Sequence, residues 1–574
     1  MLAFLSSLTV AGDLSGMLDA YLTASAERFW TERKAQIRAL DSPDAVKRRQ
    51  TYIRETVLSS LGGFPDKTPL AARITGTLER DGYRIEKVIF ESMPGFPVTA
   101  NVYVPHGQGP FPAVLGTAGH TDEGKAGELY QRGWIEIARR GMIVLAFDPP
   151  GQGERSQYWD AGAGKSRTGL GTREHTMAGL QCLLTGTNVA RYEIWDGIRG
   201  VDYLLTRSDV DPKRLAVAGN SGGGTQAAYL AVLEPRLAAA APSCYLTSWE
   251  SMWLKLGPQD AEQNFHGFIS SGLDFGDFLI AFAPKPIKMM TAMRDFFPIE
   301  GARLTFREAA DVFALAGARE QVDMFEYDDT HGWSKPRREA TYRWFERALH
   351  GREDEGQEAE SKSESAAVLQ VTRTGQVATE GGPPVETVQS LNAKLAEEMY
   401  ARRGALKEGV NLREVVAKRL AVPKWAAQPK AEAMGEVGRD GYRISRILFQ
   451  TEPGISVPAL LFLPFRPARR DRATVWLDPQ GKAAGAEPGG PIEKRVLAGE
   501  TILAIDVRGW GESAPRKAQR SGYGAWYQTF MRAYLLGRSM MGLQVADVLT
   551  AASYLRTRYP EVSVYGREAA GGAL

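Results

Sequence analysis

The pentapeptide Asp81-Gly82-Tyr83-Arg84-Ile85 occurs twice, the second time as Asp440-Gly441-Tyr442-Arg443-Ile444. The register then holds without a gap. Phe90 matches Phe449, Pro94-Gly95 matches Pro453-Gly454, Val98 matches Val457 and Pro105 matches Pro464. Further on, Asp148, Gly151, Gly153 and Glu154 match Asp506, Gly509, Gly511 and Glu512, and Asp196…Tyr203-Leu204 matches Asp547…Tyr554-Leu555. A repeat this long is a duplicated domain, not a solenoid unit. It divides the 574-residue chain, too long for one ordinary core, into two related bodies.

The first copy reads as α/β. Tyr83 to Phe90 and Val98 to Val104 alternate around the Pro94-Gly95 turn and predict a hairpin. After it, short apolar runs (Pro112 to Thr117, Met142 to Phe147, Leu215 to Ala218, Leu237 to Ala241, Ile287 to Met293, Val322 to Tyr327) are separated by helical patterns. That rhythm predicts a doubly wound, mostly parallel sheet covered on both faces. We expect residues 1–70 to form a helical segment packing on the first copy, which spans 71–350. Residues 351–384, rich in Glu and Ser, predict a solvated linker. Residues 385–574 are expected to form the second, incomplete copy, which is degenerate, a fragment of a longer chain, or both.

Within the first copy, Leu215-Ala216-Val217-Ala218-Gly219-Asn220-Ser221-Gly222-Gly223 reads as a buried strand, a sharp corner and a helix start, with G-x-S-x-G at the turn. A serine raised on so tight a corner needs neighbours without side chains, and the helix N-terminus then points its free N–H groups at it. The hydroxyl needs a base, and the base an acid to fix its tautomer. Of the six histidines, His331 stands just past the last strand, in Asp329-Thr330-His331-Gly332. Asp295 follows the strand ending at Met293. Loops after parallel strands share one sheet edge, so Ser221, Asp295 and His331 can meet there. Glu300 is the rival acid; Asp274, Asp277 and Asp323 stand before or at the start of strands. The N–H groups of Gly222 and of His120, in the loop after Pro112 to Thr117, are expected to hold an oxyanion. At the matching corner of the second copy Glu568 stands where Ser221 would be.

Other chemistries are disfavoured. Gly119 to Ala126 nearly spells a phosphate loop, but Ala126 lacks the hydroxyl that would ligate magnesium. A net charge of +2 gives no basic face for nucleic acid, and no apolar run is long enough to span a bilayer. The start, Leu2 to Val10, lacks the basic flank and cleavage site of a signal peptide, which leaves the compartment open. No cofactor is expected, and the histidines and two cysteines show no metal-ligand spacing; Cys182 and Cys244 could pair or remain free. Trp249 and Trp253, in the excursion before Pro284, and Trp333 are candidates for stacking on a sugar, or for plain core.

The serine corner, Asp295-Phe296-Phe297-Pro298, His331-Gly332 and Asp148-Pro149-Pro150-Gly151-Gln152-Gly153-Glu154-Arg155 together resemble the α/β-hydrolase superfamily, in particular acetylxylan-esterase-like hydrolases. The resemblance covers about residues 40–350 and, decayed, 385–574. It implies a serine carboxylester hydrolase working through an acyl-enzyme on short acyl esters, with a small-molecule or carbohydrate ester as partner. It implies Ser221 as nucleophile, Asp295 as acid, His331 as base, and Gly222 and His120 as oxyanion donors. A serine peptidase of the same fold and a non-catalytic binding protein are the alternatives.

Overall fold

The computed structural model describes residues 8–382, 384–403, 411–425, 428–515 and 526–567. It divides into two compact units, Trp30–Leu406 and Met1–Phe29 with Lys407–Leu574.

The first unit is built on a nine-stranded sheet. Its strands are β1 (Arg73–Arg80), β2 (Tyr83–Met93), β3 (Phe96–Pro105), β4 (Phe111–Thr117), β5 (Ile143–Phe147), β6 (Val210–Asn220), β7 (Ala239–Ser243), β8 (Ile287–Ala292) and β9 (Val322–Tyr327). Their order is β1-β2-β3-β5-β4-β6-β7-β8-β9. The first three run antiparallel; from β5 across to β9 the pairs are parallel. The predicted doubly wound sheet is therefore present, with β6 near its middle. The central strand β5, Ile143-Val144-Leu145-Ala146-Phe147, is buried along its whole length, as a strand covered on both faces must be. Strand β1 carries no such signal. Its residues are mostly exposed, so its sequence shows no apolar face and the alternation only becomes readable at Tyr83.

Helix α1 (Pro43–Ser60) begins where Ser42 accepts a hydrogen bond from the Ala45 N–H (3.3 Å) with proline in the first turn, a strong local start signal. It lies against this unit: Arg49 and Arg33 both grip the buried Asp277 carboxylate (2.7 and 2.6 Å). The segment 1–70, expected to pack as one piece, divides instead. Residues up to Phe29 group with the second unit. There the N–H groups of Val10 and Ala11 bind the Glu512 carboxylate (both 2.9 Å) and the Tyr21 hydroxyl donates to Glu452 (2.8 Å).

The stretch expected to be a solvated linker is tied down on the first unit. Glu358 forks onto Arg338 (2.6 Å) and accepts the Tyr342 hydroxyl (2.7 Å). Glu364 pairs with Arg80 (2.6 Å), and Leu369 is fully buried. Several of the charges that make this segment look solvated meet specific partners, something composition does not reveal. Helix Val388–Arg403, expected in the second copy, also belongs to the first unit, where the buried Asn392 donates to Cys182 Sγ (3.1 Å).

The second unit has a six-stranded sheet in the same order as the first six strands of the other. Its strands are β10 (Lys430–Arg439), β11 (Tyr442–Glu452), β12 (Ile455–Pro464), β13 (Arg472–Leu477), β14 (Thr501–Ile505) and β15 (Glu561–Gly566), ordered β10-β11-β12-β14-β13-β15. Even the irregularities repeat. The register shift between Ile74 and Gly76 recurs between Ala433 and Gly435, and that between Glu91 and Met93 recurs between Gln450 and Glu452. Such bulges are built-in features of a fold. Strand β15 occupies the place of β6, and the corner with Glu568 that follows it lies outside the described residues.

A buried polar clamp is also duplicated. In the first unit Lys125 lies between Asp148 (2.6 Å) and Glu154 (2.7 Å). In the second, Lys482 lies between Asp506 (2.9 Å) and Glu512. A second pair is conserved in space but not in sequence. Arg155 binds Asp196 (2.6 Å), whereas the matching Asp547 is bound by Arg508 (2.6 Å). Arg508 aligns with Pro150, and Arg155 aligns with Ser513. Among the described residues no helix is long and apolar enough to cross a membrane.

Candidate active site

The corner after β6 holds Ser221 at φ 61°, ψ −125°, a strained conformation for a residue with a side chain. The surroundings hold it there. The Ser221 N–H donates to the Ser243 carbonyl (2.9 Å) on β7, and helix α2 (Gly222–Leu233) leaves the corner almost wholly buried. The glycines follow from close approach. A Cβ at Gly219 would lie 2.1 Å from Thr117 Oγ1, one at Gly223 2.0 Å from the Thr117 carbonyl oxygen, and one at Gly224 2.2 Å from the Ser243 carbonyl oxygen. Gly223→Ala has only backbone to push against, so it should destabilise the fold by more than about 3 kcal/mol. Chemical denaturation of the variant checks this.

The three expected side chains converge at the carboxyl edge of the sheet. His331 Nε2 lies 2.7 Å from Ser221 Oγ, and His331 Nδ1 lies 2.9 and 3.0 Å from the two Asp295 carboxylate oxygens. Asp295 is nearly buried and also accepts the Phe297 N–H (3.1 Å). The Phe296 ring lies over the imidazole at 4.2 Å between centroids. Because a carboxylate only accepts, Nδ1 carries the hydrogen and Nε2 turns a lone pair to the serine. Asn220 ties the corner to the histidine loop: its amide group reaches Ser243 Oγ (2.8 Å) and the Gly332 carbonyl (3.1 Å).

The rival acids are occupied elsewhere. Glu300 meets Lys255 on the surface (3.4 Å). Asp274 caps helix Phe275–Phe282, Asp277 holds Arg33 and Arg49, and Asp323 pairs with Lys288 (2.8 Å). The phosphate-loop lysine is accounted for as well: Lys125 is 2 % exposed and neutralised by its clamp.

His120 is brought to the serine corner. A Cβ on Gly222 would lie 2.7 Å from His120 Cε1, so the loop after β4 and the helix start face each other closely. Its imidazole, unassigned by the sequence, is part of a buried group. His120 Nε2 contacts His175 Nδ1 (3.1 Å) and Glu262 Oε1 (3.0 Å). Burial works against charge on His175, but Glu193 and Glu262 beside it outweigh that and raise its pKa to about 10.

The expected tryptophan platforms are corrected. Trp249, Trp253 and Trp333 are 1 %, 0 % and 1 % exposed. Trp249 packs on Phe275 (5.5 Å), Trp253 on Trp30 (5.6 Å) and Trp333 on Trp134 (4.9 Å). Aromatic rings in an excursion remove more apolar surface from water by packing inward than by waiting for a ligand, and these three do so. Cys182 and Cys244 are both free and buried; burial pushes the Cys244 thiol up to about 12.

The first unit resembles known hydrolases. Residues 75–270 match the family model for acetyl xylan esterase (AXE1). "Putative hydrolase YtaP" of Bacillus subtilis (strain 168) is 25 % identical over 287 residues, covering 46 % of this chain and 88 % of that protein. Among solved structures, "Methylesterase BT1017" superposes with a TM-score of 0.50 at 20 % identity, covering 67 % of this chain and 81 % of that one, a likeness of fold. Residues 75–270, which hold Ser221, are thus similar to acetyl xylan esterases, and the first unit has an α/β fold like that of the solved structure.

Proposed function

We propose that the first unit hydrolyses short acyl esters, acetyl esters of carbohydrates foremost, through an acyl-enzyme on Ser221. The observation that carries this reading is the unbroken relay from Ser221 Oγ to His331 Nε2 (2.7 Å) and from Nδ1 to Asp295 (2.9 Å). The acetyl xylan esterase family match over residues 75–270 supports the acyl and substrate class.

In this reading Ser221 Oγ adds to the ester carbonyl carbon while its proton passes to His331 Nε2. The carbonyl oxygen becomes an anion facing the N–H groups of Gly222 and His120, preset donors that need no rearrangement as charge develops. His331 then gives its proton to the departing sugar alkoxide, and the acyl group stays on Ser221. Water then adds to the acyl carbon as its proton passes to the same nitrogen, and His331 returns that proton to Ser221 Oγ as the acyl–oxygen bond breaks and acetate leaves. Asp295 keeps the ring in one tautomer and steadies the imidazolium throughout.

Acetylated xylo-oligosaccharides, p-nitrophenyl esters of increasing chain length, a uronate methyl ester and a peptide anilide form the test panel. We expect turnover of the acetyl substrates, a decline in kcat/KM with acyl length, and no anilide cleavage. Faster cleavage of the methyl ester or the anilide than of any acetyl ester would overturn the substrate assignment.

A further inference from the structure

Behind the serine corner, three separate stretches of chain send ligand-type atoms to one buried point. His120 comes from the loop after β4, His175 from helix Thr172–Cys182, and Glu262 from the turn Ala261–Gln263. Glu193, from helix Ala190–Leu205, closes the group on the side of His175. The separations are His120 Nε2 to His175 Nδ1 3.1 Å, His120 Nε2 to Glu262 Oε1 3.0 Å, His175 Nδ1 to Glu262 Oε2 3.6 Å and His175 Nδ1 to Glu193 Oε1 3.3 Å. Ligands about 2.0–2.1 Å from a tetrahedral ion stand roughly 3.3 Å apart, so these spacings fit around a single ion.

The hydrogen positions favour a cation. His175 Nε2 lies 2.7 Å from the Pro150 carbonyl, which only accepts. In the neutral ring the hydrogen therefore sits on Nε2 and a lone pair on Nδ1 points into the group. A carbonyl behind the second nitrogen is also how metal-bound imidazoles are commonly oriented. Glu193 and Glu262 are each 1 % exposed, and Glu193 Oε1 and Glu262 Oε2 have no hydrogen-bond partner among the described residues. With both rings neutral, four acceptor atoms converge on two hydrogens, one on His120 Nε2 and one that Gln263 Nε2 gives to Glu262 Oε1 (3.3 Å). Lone pairs gathered so closely away from water repel one another unless positive charge stands among them; without an ion the carboxylates hold a proton on His175, and a divalent ion would take that proton's place.

We propose that His120, His175 and Glu262 bind one divalent transition-metal ion of the zinc class, with Glu193 beside it, and that the ion fixes the His120 loop against the serine corner. Two imidazoles and a carboxylate suit such ions rather than magnesium or calcium. The ion's role is positional: His120 is the residue whose imidazole lies against Gly222, so its loop is held where its backbone faces the serine.

The test uses the full chain, purified without chelator. Elemental analysis should find about one equivalent of metal. After chelator treatment, Co2+ should restore the visible absorption of a low-symmetry site, and Zn2+ should raise the thermal midpoint. Glu262→Gln, nearly isosteric, should weaken Co2+ at least about a hundredfold, and His175→Ala should do the same. Cys244, Asp295 and His331 form a second group able to hold an ion, so Cys244→Ala is the control and should leave the metal content unchanged. Protein that carries no metal and shows neither a Co2+ spectrum nor a midpoint shift would overturn the proposal. So would metal that survives Glu262→Gln and His175→Ala but is lost with Cys244→Ala.

Discussion

Replacing Ser221 with alanine is expected to lower kcat on p-nitrophenyl acetate by roughly four to six orders of magnitude. The hydroxyl is the only group in the relay whose oxygen can carry the acyl group; without it His331 Nε2 faces the substrate with nothing to deprotonate but water. In the proposed mechanism the residual rate comes from the N–H groups at Gly222 and His120, which would still stabilise an oxyanion. Stability should change by no more than about 0.5 kcal/mol. The corner is held by the Ser221 N–H bond to the Ser243 carbonyl and by the flanking glycines, all of which alanine keeps. Paired measurements of kcat and of thermal unfolding check both halves. A variant that folds normally and retains a tenth of its activity would remove Ser221 from the chemistry.

The largest stability effect should come from Lys125→Met. Among the described residues the ammonium is the sole cation between Asp148 and Glu154, and both carboxylates stay in place for other reasons. Asp148 also accepts the Lys125 N–H (2.8 Å) and the Thr99 hydroxyl (2.7 Å), while Glu154 holds the N–H groups of Val371 (2.8 Å) and Thr372 (2.7 Å). Methionine fills the space but leaves two buried negative charges facing each other, a loss of about 3–5 kcal/mol. The pH dependence has a definite sign. Burial raises the Glu154 pKa, but Lys125 and the Thr372 bonds outweigh it and bring it below the ordinary value. In the native protein Glu154 therefore adds stability above about pH 4.3, and that contribution fades as pH falls through its lowered pKa. Without Lys125 the same carboxyl favours its proton, so the cost of the substitution should be greatest near neutrality and shrink in acid. Urea titrations of both proteins at pH 7 and pH 4 measure the difference; an equal cost at both values would contradict the account.

The sequence showed most of what lies on the sheet's carboxyl edge, because chain order and backbone constraint leave a local trace there. Ser221 sits in a glycine corner that close packing demands, Asp295 follows an apolar interior strand, and His331 follows the last strand of the sheet, β9 at its edge. Features that depend on contacts between distant segments were not visible. Strand β1 has too few buried residues to show a period. Glu358 and Glu364 look solvated until Arg338 and Arg80 are placed beside them. Trp249, Trp253 and Trp333 have the composition of a ligand platform, and only their neighbours show them to be core. The gathering of His120, His175 and Glu262 has no sequence spacing at all, since each arrives on a separate segment. The repeat revealed Asp148 and Glu154 with their counterparts, yet not that Lys125 and Lys482 complete the clamp.

The arginine that satisfies Asp196 comes from five positions further along the loop than the one that satisfies Asp547. Homologous exchange between the two halves of the gene would be punished at this spot. A crossover between codons 150 and 155 in one direction joins Pro150 to Ser513 and leaves a buried carboxylate with no guanidinium. The reciprocal product joins Arg508 to Arg155 and forces two guanidiniums upon one carboxylate. Each copy is thus locked to its own solution, and the halves can drift apart without being homogenised through this loop.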